Sequence, residues 1–258
     1  MARIYPLFSS SSGNCVFIGS KTSGILIDDG VSYKRFSVAL EKCGIEISSV
    51  KAIFITHDHS DHIGGIKTLT SKHSIPVYAL PLTAKKLKES ETVVSEINSL
   101  TESVFIDEME VSFFKTPHDT DESCGYKIKT ADGKVCAVCT DLGRITDEVD
   151  NAITGADLVY IEANYDENML KNGPYPFYLK KRISSDKGHL SNSDCAKEIE
   201  HLIKNGTMRF VLGHLSQHNN TPEKAQTTIE NYLSGYKRNC DYILSVAPVE
   251  TEGECFVF

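Results

Sequence analysis

Apolar residues along this chain fall into two kinds of run, and their spacing separates strands from helices. Short, nearly continuous stretches rich in Val, Ile and Phe predict strands over residues 4–8, 15–18, 25–28, 50–56, 77–80, 111–115, 125–130, 135–140, 158–162 and 209–213, with further strands near the C-terminal end. Apolar residues three and four apart predict amphipathic helices over 33–42, 62–71, 176–184, 191–204 and 222–233. Only turn-rich segments, 9–14 and 21–24, separate the first three strands, so these form a meander. Periodicity alone says only that helices and strands mix, an α/β or α+β chain. Strands in two batches, each followed by helices, add a layer order: two sheets face to face with helices outside, a four-layer αββα sandwich in which several strand ends meet along one edge. With no internal sequence repeat, heptad or low-complexity linker, one domain over 1–258 is expected.

Composition limits the partners. An apolar content of 40% in 258 residues is enough for a full core. A net charge of −8 argues against broad attraction to nucleic acid and leaves room for a local basic groove. The first residues lack the apolar core of a signal peptide, and no apolar run approaches the roughly 20 residues that span a bilayer. A cytoplasmic protein with no membrane partner is the expectation, its oligomeric state open. The eight cysteines are scattered, and only Cys136 and Cys139 form a C-x-x-C. That pair lies on a predicted strand, where residues three apart face opposite sides, so buried free thiols are expected rather than a clip.

The chemistry is concentrated between Thr56 and Gly65, where His57, Asp58, His59, Asp61 and His62 place three imidazoles and two carboxylates in six residues at a strand-to-helix turn. Such nitrogen and oxygen donors suit Zn, Mn or Fe, and one ion rarely needs four of them so close together. Two metal ions are the natural reading. His118, Asp141 and His214 each follow an apolar strand and add ligand-type residues at three more strand ends. Singly they also read as a turn residue, a helix N-cap and a core imidazole; together with the dense motif they read as one metal site.

The unbroken T-H-x-H-x-D-H-x-G-G at Thr56 to Gly65 resembles the metallo-β-lactamase fold superfamily, and the later His, Asp and His follow in that family's order. The resemblance implies that His57, His59 and His118 hold one metal, that Asp61, His62 and His214 hold the other, and that Asp141 bridges them. Asp28 matches the family's first Asp, which would accept an imidazole N–H and orient its ring; a plain turn carboxylate is the alternative. His62 sets the chain apart from true β-lactamases, and His59 from flavodiiron oxidoreductases, which carry Glu there. The set looks like the hydrolase branch of glyoxalase II, ribonuclease Z and related phosphodiesterases.

Within that branch, Gly188-His189-Leu190-Ser191-Asn192 resembles the segment carrying a catalytic His in phosphodiesterases. With the metal positions filled by other histidines, His189 is free to protonate a departing oxygen; the alternative is a His near a helix start. The stretch from Glu162 to Asp166, His214 to Pro222, and the opening Ser9-Ser10-Ser11-Ser12-Gly13-Asn14-Cys15 look like the YycJ (WalJ) subgroup, whose members resemble DNA exonucleases acting from the 5′ end. The implied function is a DNA 5′-to-3′ exonuclease that uses a metal-bound hydroxide, with two divalent ions among Zn, Mn, Fe or Ni and a nucleic acid, DNA, as substrate. Lys180, Lys181, Arg182 and Lys187 are expected to grip backbone phosphates or to form a solvated helix face. Ser216, His218, Asn219 and Asn220 are expected to bind a terminal phosphate, with turn formation as the alternative. The 72 residues between Asp141 and His214 leave no room for the large inserted domain of ribonuclease J-type enzymes. Competing functions are a thioester, lactone or small cyclic phosphodiester hydrolase on the same ions, and a metal-binding regulatory protein without turnover.

Overall fold

The computed structural model describes residues 2–258. The meander is formed by β1 (Arg3–Ser10), β2 (Gly13–Gly19) and β3 (Gly24–Ile27), followed by β4 (Val50–Ile55), β5 (Val77–Ala79) and β6 (Ile97–Ser99). These strands lie side by side in chain order; the first three run antiparallel, and β4, β5 and β6 each add parallel to the strand before. The second sheet repeats the scheme with β7 (Val104–Ile106), β8 (Met109–Lys115), β9 (Cys124–Lys129), β10 (Val135–Cys139), β11 (Leu158–Glu162), β12 (Arg209–Gly213) and β13 (Ile243–Val246). Its pairings are antiparallel up to β10 and parallel from there on. Finally β14 (Phe256–Val257) returns to the first sheet beside β1.

Each parallel pairing needs a crossover, which helices supply. In chain order they are α1 (Tyr33–Lys42), α2 (Ser60–Ile63), α3 (Ile66–Lys72), α4 (Pro81–Glu89), α5 (Asp147–Ile153), α6 (Glu167–Asn172), α7 (Phe177–Ile183), α8 (Asn192–Lys204) and α9 (Pro222–Tyr232). None of the helices among the described residues is long and apolar enough to cross a membrane.

Three clusters of buried residues define the four layers. Ile18, Ile25, Ala52 and Phe54 of the first sheet meet Tyr126, Cys136, Val138 and Tyr160 of the second in the central core. On the outer face of the first sheet, Leu26, Ile53 and Ile55 pack against Phe36 and Leu40 of α1 and Leu69 of α3. On the outer face of the second, Ala137, Val159 and Phe210 pack against Val149 of α5, Ile199 of α8 and Ile229 of α9. Both faces of each parallel strand are buried, which is why β4, β11 and β12 read as continuous apolar runs instead of alternating. Cys136 faces the central core and Cys139 the helical layer. Six cysteines are buried as expected; Cys255 is half-buried and Cys240 exposed.

The expected helix over 62–71 is two helices, α2 and α3, divided at Gly64-Gly65. The break brings the motif against the loop after β3: Gly65 N–H donates to the Asp29 carbonyl at 2.8 Å, and Asp29 N–H to the His62 carbonyl at 2.9 Å. A Cβ on Gly65 would lie 2.0 Å from the Val31 carbonyl oxygen, and one on Gly30 only 1.7 Å from that of Asp61. Backbone touches backbone here, so no side chain has anywhere to go. The turn expected over 9–14 shrinks to Ser11-Ser12, because β1 and β2 continue pairing to Ser10 and Gly13.

Gly30→Ala is therefore expected to push α2 off the β3 loop. The chain should lose about 1–3 kcal/mol or more of stability in urea unfolding, and metal content should fall, since Asp61 and His62 ride on α2. Wild-type stability with full metal content would show that the contact does not position the motif.

Candidate metal centre

Parallel strands present their carboxyl ends on one edge, and in such sheets ligands gather outside those ends. Asp28 follows β3, the 56–62 motif follows β4, Asp141 follows β10, Glu162 ends β11 and His214 follows β12. Asp28, Asp141 and His214 all take left-handed backbone conformations, with φ of 60°, 58° and 54°. This conformation turns the chain sharply out of the strand, and Asp and His are among the few non-glycine residues that adopt it with any frequency.

The imidazoles converge. His57, His59 and His118 offer ligand atoms within 4.8 Å of one another, as do Asp61, His62 and His214. His57, His62 and Asp141 form a third such group that joins the other two. Ring centroids of His57 lie 4.6 Å from His59, 4.2 Å from His62 and 4.9 Å from His118.

Hydrogen bonds fix which nitrogen each ring presents. Asp28 accepts from the Thr56 backbone N–H and hydroxyl, both at 2.8 Å, and from His62 Nδ1 at 2.8 Å. Because the Thr56 hydroxyl donates to Asp28, it can only accept from His57 Nδ1, 3.0 Å away. His118 Nδ1 donates to the Gly188 carbonyl at 3.1 Å, and His214 Nδ1 to Glu162 Oε1 at 2.6 Å. In all four rings the Nδ1 hydrogen is engaged by the protein and Nε2 remains, the arrangement by which outer partners orient metal-ligating imidazoles.

Three buried polar atoms in the cluster, His57 Nε2, His214 Nε2 and Asp141 Oδ2, have no hydrogen-bond partner. Buried polar atoms without partners are costly, and all three are lone-pair donors a cation would satisfy. The donor set, imidazole nitrogen and carboxylate oxygen, fits divalent transition metals.

Electrostatics follow the same pattern. Burial, reinforced by the surrounding imidazoles, holds His57 well below the ordinary imidazole range, and burial also lowers His118. Burial opposes protonation of His62, but Asp141 and Asp28 overcome it and push it up to about 9. His214 stands well above its usual range for the same reason, against Asp141, Asp61 and Glu162. Burial would raise Asp61, Asp141 and Glu162, yet their imidazole partners hold all three below the ordinary carboxylate range.

His189 joins the cluster, its ring 5.2 Å from His118 and 5.3 Å from His214. Its Nδ1 donates to Glu162 Oε1 at 2.9 Å. Its side chain is 20% exposed, whereas those of His62, His118 and His214 are 1% exposed. It borders a cavity of about 260 Å³ lined also by His59, Asp61, Asp141, His214 and Arg182. Ser216 lines the same cavity. Buried Asn219 turns its amide nitrogen to the Ser216 hydroxyl at 3.4 Å, while its Oδ1 has no partner. His218 is exposed and packs edge-on against Tyr175. Lys181 and Lys187 are exposed, and Arg182 pairs with Asp119. Asn220 is committed to structure, its amide bonded to Asn192 and to the Ala163 carbonyl. Of the histidines outside the cluster, His201 is exposed, and His73 is half-buried, stacked on Tyr33 and bonded to its hydroxyl at 2.8 Å.

Glu162 is the residue to which sequence reading attached no role. Fully buried, it holds His189 and His214 on one oxygen and accepts from the Leu190 and Leu142 amides on the other, at 2.9 and 3.3 Å. The signal was present: a carboxylate closing the apolar run Leu158-Val159-Tyr160-Ile161, the same signature that marked Asp28 and Asp141.

Metal uptake should be proton-linked. Because His62 and His214 hold their protons above the ordinary imidazole range, a cation that takes those nitrogens must displace them, and its affinity should rise as pH rises from about 6.5 to about 9. Calorimetric titration of the metal-free chain in buffers of different ionisation enthalpy counts the released protons. Affinity independent of pH, with no proton release, would show that the ions bind elsewhere.

Comparison with known proteins agrees with this architecture. The model of the β-lactamase superfamily domain matches residues 24–215. The chain is 33% identical over 234 residues to exodeoxyribonuclease YycJ of Bacillus anthracis, covering 88% of this chain and 87% of that protein. It is 33% identical over 235 residues to exodeoxyribonuclease WalJ of Streptococcus pneumoniae, with the same coverage. Among solved structures, the metallo-β-lactamase fold protein YhfI from Bacillus subtilis superposes over the full length of both chains with a TM-score of 0.74 at 14% identity, a likeness of fold. The strand ends, the clustered imidazoles and these relatives agree: the chain belongs to the metallo-β-lactamase superfamily of metal-dependent hydrolases, in the family of the YycJ and WalJ exodeoxyribonucleases.

Proposed function

We propose that this chain is a two-metal phosphodiesterase that degrades DNA from its 5′ end, acting as a single hydrolase domain. His57, His59 and His118 would hold one divalent ion, Asp61, His62 and His214 the other, with Asp141 between them; Zn, Mn, Fe and Ni all suit these donors. Ions so held supply a nucleophilic water at neutral pH and neutralise charge on the non-bridging oxygens of the phosphodiester. Curated relatives that match most of the chain are named exodeoxyribonucleases, which supports DNA as the substrate.

The observation that carries the reading is His189. Its Nδ1 is bound by buried Glu162, so its remaining nitrogen, Nε2, is the one that can carry a proton to the reaction cavity. The carboxylate behind the ring fixes its orientation, and the leaving oxygen of a phosphodiester needs a proton of the kind an imidazole so placed can donate. A thioester's sulfur leaves without that help. Arg182, on the cavity wall, offers a cation to a backbone phosphate once it exchanges Asp119 for it, and exposed Lys181 offers another. Ser216, on the cavity wall, keeps a hydroxyl hydrogen to donate to a terminal phosphate, because its oxygen already accepts from Asn219, which holds it in place from behind, with exposed His218 beside it.

His189→Ala is expected to lower DNA cleavage about 10²- to 10⁴-fold with metal content intact, whereas His57→Ala should lose metal as well. On 5′- and 3′-end-labelled DNA and RNA with Mn or Zn, mononucleotide should appear first from the 5′ label of DNA. Undiminished cleavage by His189→Ala removes the acid, and thioester turnover without phosphodiester turnover removes the nuclease.

A further inference from the structure

Helix α7 walls the reaction cavity through Leu179, Arg182 and Ile183, and it also carries the two most solvent-exposed large apolar side chains among the described residues. Phe177 is 81% exposed and Tyr178 is 74% exposed. Four-residue spacing makes each a neighbour of a cation along the helix surface, Phe177 of Lys181 and Tyr178 of Arg182. Leu179 and Ile183, also four apart, anchor the helix inward against Tyr165, Leu170 and Tyr175.

The charge around this pair runs against the rest of the chain. Residues 171–187 hold five cations, Lys171, Lys180, Lys181, Arg182 and Lys187, against one acid, Asp186, in a chain of net charge −8. Large flat apolar side chains interleaved with cations, on the helix that walls a hydrolytic cavity, match one ligand chemistry above others: an unpaired polynucleotide, whose bases stack on aromatic faces while its phosphates meet Lys and Arg. Inside a duplex the base faces are covered by neighbouring pairs and only the end pair exposes one, so successive bases can stack on both side chains only in an unpaired strand.

We infer that Phe177 and Tyr178 form a base-stacking platform that receives the single-stranded end of the substrate and directs it into the cavity beside His189. The inference rests on the nuclease reading and adds to it strand state and place of entry. Phosphate contacts by Lys181 and Arg182 supply the salt-dependent part of the affinity, and stacking supplies a part that salt does not screen.

The chain contains no tryptophan, so Phe177→Trp introduces a single reporter. Its emission should be quenched on titration with a single-stranded oligothymidylate and stay unchanged with a blunt duplex of the same length. In the paired substitution Phe177→Ala with Tyr178→Ala, KM for a single-stranded oligonucleotide should rise about ten- to hundredfold at an unchanged salt slope. Metal content and thermal midpoint report its folding. Absence of quenching, or a KM within twofold of wild type, overturns the platform. So does a pair variant that keeps DNA affinity but no longer sediments with phosphatidylcholine–phosphatidylserine vesicles, which would make the aromatics a membrane contact. Failure of the wild-type chain to cleave any polynucleotide removes the nuclease reading itself, an outcome distinct from a cleaving enzyme with a dispensable platform.

Discussion

The whole site depends on burying titratable groups that have no business inside a protein unless they answer one another. His57, His62, His118, His214, Asp28, Asp141 and Glu162 are all at most 4% exposed. Removing one ion from water costs several kcal/mol even after relaxation, and one opposite charge rarely restores it. Here each carboxylate serves more than one partner, and each buried imidazole is bonded at Nδ1 before any cation is considered. What remains unsatisfied faces inward as a set of lone pairs. Deleting Glu162 would leave His189 and His214 at once without orientation, so these rings behave as a unit.

The αββα frame exists at this edge in a form that makes such sharing possible. Two sheets, each a meander that turns parallel, end their parallel strands on the same side, so residues more than a hundred positions apart become neighbours. Tyr160 of β11 illustrates how tightly the sheets are tied there. Its hydroxyl meets that of Ser9 at 2.5 Å, and the Ser9 hydroxyl accepts from the His214 amide at 2.9 Å. One chain of hydrogen bonds thus runs from β11 of the second sheet to Ser9 of the first and back to a candidate ligand at the end of β12. Left-handed backbone at Asp28, Asp141 and His214 is the conformational cost of aiming these side chains, and it falls where the hydrogen-bond network can hold it.

Much of this was legible because the same physical signal recurs: an apolar run closed by a ligand-type residue. That rule placed β4, β10, β11 and β12 within a residue of their bounds and singled out His118, Asp141 and His214. It was weakest where burial is slight. Strands β6 and β7 have three residues each, and α4 and α6 are short and largely polar, so their periodicity never rises above that of a loop. α5 left a different trace, Thr146 capping the Val149 amide ahead of three acids in the first turn. Capping is a local signal, and a search guided by apolar spacing passes over it. The division of the 62–71 helix needed tertiary knowledge, since two glycines in a row permit a break without saying what they must touch.

Glu162 shows why role is harder to read than position. Its Oε1 holds both a candidate ligand, His214, and the candidate acid, His189, and its Oε2 takes the amides of Leu142 and Leu190, each of which directly follows a site residue, Asp141 and His189. One buried anion therefore sets the backbone beside Asp141 and His189 and the rings of His189 and His214. It follows that, in the reaction proposed above, holding the ions and delivering the proton would not be independent functions. A displacement of β11 by a fraction of an ångström would move His214 and His189 together, keeping the acid in register with whatever the ligands hold. The same anchor marks a contrast along the cavity: the wall around Glu162 is buried and held by hydrogen bonds, while helix α7, anchored by only two apolar side chains, is its exposed boundary.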